Sequence, residues 1–160
     1  MDVALVMGSI SDWDKVRVTT ELLKKLNVSF DKHVISAHRM PNELQAFASS
    51  AKSEHYKIII AAAGGAAHLP GMMAANTDLP VIGIPIQTKS LNGMDSLLSM
   101  VQMPAGVPVA TVAIGDAGAK NAAILAAQII ALNNQAVADK LNTFRRNQTK
   151  EAINSNERLE

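Results

Sequence analysis

The chain has 160 residues, of which 48% are hydrophobic, 18% charged and 3% aromatic. That is one ordinary domain with a core of Ala, Val, Ile, Leu and Met, and it excludes a disordered chain. A net charge of +1, from 15 Lys and Arg against 14 Asp and Glu with no block of either sign, disfavours a nucleic-acid or anionic-membrane surface. No Cys occurs, which excludes disulfides, thiolate nucleophiles, iron–sulfur clusters and Cys-type zinc sites.

The start, Met1 to Met7, is too short and acidic for a signal peptide, and no run reaches the ~18 apolar residues that span a bilayer. The expectation is a cytoplasmic protein with no membrane partner. Short β-branched runs then alternate with longer Ala- and Leu-rich segments, the rhythm of strand–helix–strand units around a parallel sheet. Val3 to Met7 reads as the first strand. Asp12 to Leu26 carries Trp13, Val16, Leu22, Leu23 and Leu26 at helical spacing, with Ser11 as its N-cap and Asp14 completing a weak capping box.

Phe30 to Ile35 reads as the second strand, and Pro41 suits the first position of a helix running to about Ser53. Ile58 to Ala61 is the third strand, followed by a small-residue loop and a short helix through about Ala75. Val81 to Ile84 is the fourth strand, Pro85 to Gly93 a loop, Met94 to Val101 a helix, and Val107 to Ile114 the fifth strand. Ala117 to Leu132 is nearly all apolar, which implies burial around most of its circumference. Burial against another subunit is the simplest explanation, so a homo-oligomer is expected. A polar helix after Asn134 carries Val137, Leu141 and Phe144 on one side and reads as a subunit-docking arm, frayed from about Gln148. Residues 1–132 form the expected catalytic domain, and 133–160 a helical arm and tail of the same domain.

Five such strands predict an α/β fold, a flavodoxin-like doubly wound parallel sheet in three layers with a C-terminal helical arm. Ligands bind such sheets outside the carboxyl ends of the strands, which singles out four loops. The first, Gly8-Ser9-Ile10-Ser11-Asp12-Trp13, serves equally as a capped helix start or as a cradle for phosphate at a helix N-terminus. Asp12 repels phosphate but accepts hydrogen bonds from sugar hydroxyls. The second gathers Ser36, His38 and Arg39: a hydroxyl, an imidazole that titrates near neutral pH, and a fork-shaped cation suited to phosphate or carboxylate.

The third loop, Ala61 to Gly71, has almost no side-chain bulk before His68. Backbone amides there can approach a flat ligand, although small residues also serve tight interfaces. His68 is either a second acid–base group or a backbone-bonded structural histidine. His33 and His55 read as non-catalytic, and Lys89 of the fourth loop as solvated. The eight Met residues read as core filler. No HExxH and no carboxylate cluster has ligand spacing, so neither a metal nor a cofactor is expected.

These loops, in this order, resemble the class I 5-(carboxyamino)imidazole ribonucleotide mutases, the family also called phosphoribosylaminoimidazole carboxylase catalytic subunits. The resemblance rests on Met7-Gly8-Ser9-Ile10-Ser11-Asp12-Trp13, Ser36-Ala37-His38-Arg39-Met40-Pro41, Ala63-Gly64-Gly65-Ala66-Ala67-His68-Leu69-Pro70-Gly71 and the stretch from Leu91 to Pro104. It spans about Val3 to Leu132. It implies a purine-biosynthetic isomerase that moves a carboxylate from the exocyclic amine of an imidazole ribonucleotide to ring carbon 4, without ATP, biotin or metal.

By that resemblance His38 is the general acid–base group and His68 orients it or the carboxylate. Ser9, Ser11, Ser36 and Arg39 hold the ribose phosphate, Asp12 the ribose hydroxyls, and Ala63, Gly64 and Gly65 wall a pocket for carbon dioxide. The family is octameric, and a functional link to the ATP-dependent synthetase that makes the substrate follows from the chemistry. One departure is Met40, where the family more often has Thr. A class II carboxylase of the same fold, which joins free carbon dioxide to aminoimidazole ribonucleotide, is the nearest alternative; its members tend to have Lys at the Arg39 position. A flavin-binding module and a purely structural oligomer are the readings from other classes.

Overall fold

In a computed structural model describing residues 1–159, five parallel strands stand in the order β2-β1-β3-β4-β5. They are β1 (Val3–Met7), β2 (Phe30–Val34), β3 (Ile58–Gly64), β4 (Val81–Ile86) and β5 (Ala110–Thr111). The helices are α1 (Trp13–Lys25), α2 (Pro41–Ser50), α3 (Leu69–Ala74), α4 (Met94–Val101), α5 (Asp116–Ala131) and α6 (Gln135–Ser155). The doubly wound sheet is therefore as expected.

The three central strands β1, β3 and β4 are unbroken apolar runs because helices cover both of their faces. Alternate residues feed two separate cores. Val3, Leu5, Met7, Ile58, Ile60, Ile82 and Ile84 pack under α1, α5 and α6. Ala4, Val6, Ile59, Ala61 and Val81 pack under α2, α3 and α4. Full burial of each Ile or Leu contributes roughly 1.5–3 kcal/mol, so the central strands anchor both layers. Edge strand β2 is only partly covered, consistent with its charged Asp31 and Lys32.

Several boundaries differ from the sequence reading for identifiable reasons. β3 runs three residues beyond Ala61, because its alanines stay in register with β4 as far as Gly64↔Ile86. β4 runs through Pro85, whose carbonyl accepts from Gly115 N–H at 3.0 Å. Its missing N–H thus faces the β5 side, where the ladder of two pairs has already ended. β5 itself is much shorter than the expected 107–114, since Pro108 has no N–H to give and the strand lies at a sheet edge. Ser11 does not cap α1. Ser9 instead caps a 3-10 turn, Ile10–Asp12, accepting from the Ser11 amide at 3.3 Å, and Asp12 enters α1 without a side-chain cap.

The cover of α5 is intramolecular. Ala119, Ala122, Ala123, Ala126, Ala127 and Ile130 are buried against the sheet, α1 and α6 of the same chain, and the Thr19 hydroxyl donates to the Ala119 carbonyl at 2.8 Å. The apolar side of α6 is spent in the same place: Val137 and Leu141 are buried and Phe144 packs beside them. Within the chain the cover is extensive but incomplete: Ile124, Leu125 and Ile129 of α5 stay half-buried, and Leu132 and Ile153 are exposed, so α6 supplies much of the burial that the sequence argument assigned to a second subunit. Nor does α6 fray at Gln148; it stays helical to Ser155. No helix among the described residues is long and apolar enough to cross a membrane.

Candidate active site

The carboxyl ends of β1, β2, β3 and β4 open into one cleft of about 680 Å³, and all four loops selected by topology contribute to it. Ser9, Ser11, Asp12, Ser36, His38, Arg39, Ala63, Gly64 and Gly65 all line it, as do Lys15, Gln87 and Thr88. His68 is the one expected site residue that does not line it. Lys89 is exposed and also absent from the lining.

The first loop is held by Gly8 N–H donating to the Ala62 carbonyl at 3.1 Å, which binds the end of β1 to β3. The Ser11 hydroxyl donates to the Ser9 hydroxyl at 3.0 Å, so two oxygens converge at the start of α1. Asp12 is half-buried beside them. Burial pushes its carboxyl above the ordinary range, against the pull of the Lys15 charge and a hydrogen bond from the Ser9 backbone. The second loop keeps Ser36 buried at 9% exposure, and its hydroxyl accepts from Arg39 Nε at 3.2 Å. The rest of the guanidinium stands at the exposed rim, free for a planar anion.

His38 and His68 meet across the rim. His38 Nε2 and His68 Nδ1 are 2.8 Å apart, with the rings edge to face and their centroids at 5.0 Å. One nitrogen donates and the other accepts, so the pair can hold a single proton in either direction. His68 thus touches the cleft only through His38. His33 lies on β2 against Phe47 and the Tyr56 hydroxyl, outside the cleft, and His55 sits in a turn with φ 69°.

The third loop owes its shape to two α4 serines that the sequence reading passed over. Buried Ser96 donates to the Ile86 carbonyl at 2.6 Å and accepts from Gly65 N–H at 2.9 Å. The single Ser99 hydroxyl proton is shared between the Asp95 carbonyl of its own helix at 2.6 Å and the Gly65 carbonyl at 3.1 Å. Gly65, with φ 71°, is therefore held firmly at its amide and more weakly at its carbonyl. Its amide is not a free donor to a ligand, and what it gives the cleft is space. Ser96 and Ser99 are one turn apart on α4, a spacing that marks one helix face but not a loop it will touch.

No aromatic ring other than imidazole lines the cleft; Trp13 instead lies beside Lys32 on β2, 5.2 Å from its ammonium. An isoalloxazine ring would find nothing to stack on. Among the described residues no group of three His, Asp or Glu is placed to hold a metal ion.

Comparison with known proteins agrees with this architecture. The chain is 58% identical over 149 residues to the N5-carboxyaminoimidazole ribonucleotide mutase of Brucella melitensis, covering 93% of this chain and 92% of that protein. It is 53% identical over 157 residues to the Bacillus subtilis protein of the same name, covering 98% and 97%. The crystal structure of Treponema denticola PurE superposes with a TM-score of 0.89 at 25% identity, over 99% of this chain and 98% of that one. The model of the AIR carboxylase family matches residues 2–151. The four loop motifs, the doubly wound sheet that brings them together and these matches agree: the chain belongs to the AIR carboxylase family.

Proposed function

We propose that the chain is an isomerase of purine biosynthesis that converts 5-(carboxyamino)imidazole ribonucleotide to 4-carboxy-5-aminoimidazole ribonucleotide. The observation that carries this reading is the His38–His68 pair, hydrogen-bonded at 2.8 Å on the rim of a cleft whose floor is made of small residues and whose sides carry Ser36, Arg39 and Asp12. In the first step the carbamate C–N bond breaks, its electron pair stays on nitrogen, carbon dioxide is freed, and His38 protonates the nitrogen. In the second, the electron-rich ring carbon 4 attacks the retained carbon dioxide. The proton displaced from carbon 4 returns to His38, and the proton balance closes. One imidazole both gives and takes, and His68 shares its proton between the two events.

Ser9, Ser11, Ser36 and Arg39 are assigned to the ribose phosphate, an anion suited to hydroxyl and guanidinium donors at a helix start. Asp12 is assigned to the ribose hydroxyls. Ala63, Gly64 and Gly65 leave room for carbon dioxide next to the ring. Arg39, in place of the Lys that class II members tend to carry, favours the mutase over the carboxylase. The relatives' names support the same choice.

A homo-octamer in the cytoplasm, supplied by an ATP-dependent synthetase that attaches the carbamate, completes the proposal. Support for assembly comes from α4 and its approach, where Leu91, Met94, Leu98 and Val101 form an exposed apolar stripe, with Leu98 at 61% exposure. The deciding experiment offers the purified chain each substrate at low bicarbonate. Product from 5-(carboxyamino)imidazole ribonucleotide is expected. Product only from aminoimidazole ribonucleotide with added bicarbonate would overturn the mutase reading.

A further inference from the structure

The mutase reading needs carbon dioxide to stay in the cleft between two steps, yet most of the fourth loop, residues 87–93, is exposed. Lys89, Ser90, Leu91 and Asn92 are all exposed. Two successive carbonyls at the root of that loop are gripped from opposite layers of the fold. Ser96 of α4 donates to the Ile86 carbonyl at 2.6 Å. Lys15, on the first turn of α1, donates from Nζ to the Gln87 carbonyl at 3.0 Å. The sheet order sets β3 between β1 and β4, so the Lys15 side chain bridges from the β1 loop to the β4 loop over the end of β3, where Ala63, Gly64 and Gly65 lie.

The remaining ties of the loop stay within it or reach only the start of α4. Thr88 donates to the Asp95 carboxylate at 2.8 Å and accepts from Gly93 N–H at 3.3 Å, which shapes the loop without fixing it to the far wall. Lys15 is the only one of these donors that comes from the opposite layer. Its ammonium also has donors to spare, because the Gln87 carbonyl occupies one of three, and Asp12 sits one turn before it on the same helix face.

We infer that Lys15 is a positioning residue that straps the 87–93 loop across the cleft and so keeps carbon dioxide beside ring carbon 4 until the new bond forms. The inference rests on the mutase reading and adds to it a residue with no part in proton transfer. Without the strap, carbon dioxide escapes after the carbamate breaks, the ring carbon finds no electrophile, and aminoimidazole ribonucleotide leaves as a side product.

The test compares wild type, Lys15→Met and Lys15→Arg on 5-(carboxyamino)imidazole ribonucleotide. It measures aminoimidazole ribonucleotide released per molecule of C4-carboxylated product, after subtracting decay without enzyme. Lys15→Met is expected to raise that ratio about three- to tenfold, in line with loss of one exposed charge-assisted hydrogen bond. Lys15→Arg, which keeps a donor for the Gln87 carbonyl, is expected to return it most of the way. In ¹³C-bicarbonate, Lys15→Met product is expected to take up more label than wild-type product. An unchanged ratio overturns the inference, as does a raised KM with no change in ratio or label, since that would make Lys15 a substrate contact. Wild-type chain that forms no C4 product would instead sink the proposed function, and this inference with it.

Discussion

In the proposed mechanism a proton accepted by His38 would have a second resting place 2.8 Å away on His68, so the two histidines should differ in what their loss does. His38→Asn is expected to lower kcat by about 10²–10⁴-fold, the usual worth of a positioned acid–base group, with nucleotide affinity by calorimetry nearly unchanged. Near-normal turnover would remove His38 from the chemistry. Arg39→Ala should weaken nucleotide binding by about 1.5–3 kcal/mol, roughly ten- to a hundredfold, and calorimetry reads this directly. Asp12 predicts a pH dependence of a definite sign. Burial raises its carboxyl above 3.8 in the folded chain, so the folded state holds the proton more firmly than the unfolded one. Stability therefore falls as pH rises from the unfolded pKa through the raised folded one. Asp12→Asn should melt higher than wild type at neutral pH, with the gain shrinking in acid. A variant that melts lower at neutral pH would show that Asp12 is not held there at a cost. The polar groups of the first two loops were legible in the sequence because hydroxyls, imidazole and guanidinium sit together at strand ends. Lys15 was not, because nothing local tells a lysine on a first helical turn that a carbonyl from residue 87 will lie within its reach.

Between elements, the tightest joint is the turn from β5 into α5. A Cβ on Gly118 would overlap the Ala113 backbone carbonyl, and backbone cannot step aside as a side chain can. Gly118→Ala should cost about 3 kcal/mol, the upper end for overpacking, visible in a denaturant midpoint; a loss well under 1 kcal/mol would mean that the turn relaxes. At the other end of the sheet, the Asp2 carboxylate accepts from Lys57 Nζ at 2.8 Å and from the Ser29 hydroxyl at 2.6 Å, clasping the lead-ins to β1, β2 and β3. Partial burial pushes its pKa up, but Lys57 and Ser29 outweigh this and hold the carboxyl below 3.8. Its stabilisation is present above that value and is lost as pH falls through the lowered one. Asp2→Asn should thus be less stable than wild type at neutral pH, and the gap should close in acid. The central strands were legible because two-sided burial leaves continuous apolar runs. β5 was not, since Val107 to Ile114 has strand composition but lies at an edge with a proline in it. Apolarity all round α5 was visible as well; whether α6 or a second subunit supplied the cover was not, because composition does not distinguish an intramolecular neighbour from a foreign one.

At the scale of the molecule, Leu91, Met94, Leu98 and Val101 line up as one exposed apolar stripe, while Ile10, Leu132 and Ile153 are exposed elsewhere, and the octamer proposal turns on the stripe. Leu98→Glu puts a charge in the middle of the stripe and should shift the assembly to smaller species in sedimentation, with the fold kept by circular dichroism. An unchanged sedimentation profile would move the subunit contact elsewhere. The two cores, one on each side of the sheet, have a further consequence. Asp12 and Lys15 ride on the layer of α1, whereas His38, Arg39 and His68 ride on the layer of α2 and α3. A nucleotide lodged between them, as proposed, would act as a rivet through both plates, so its arrival should slow amide deuteration on the two sides together. Neither half, isolated, would keep a grip on the ligand.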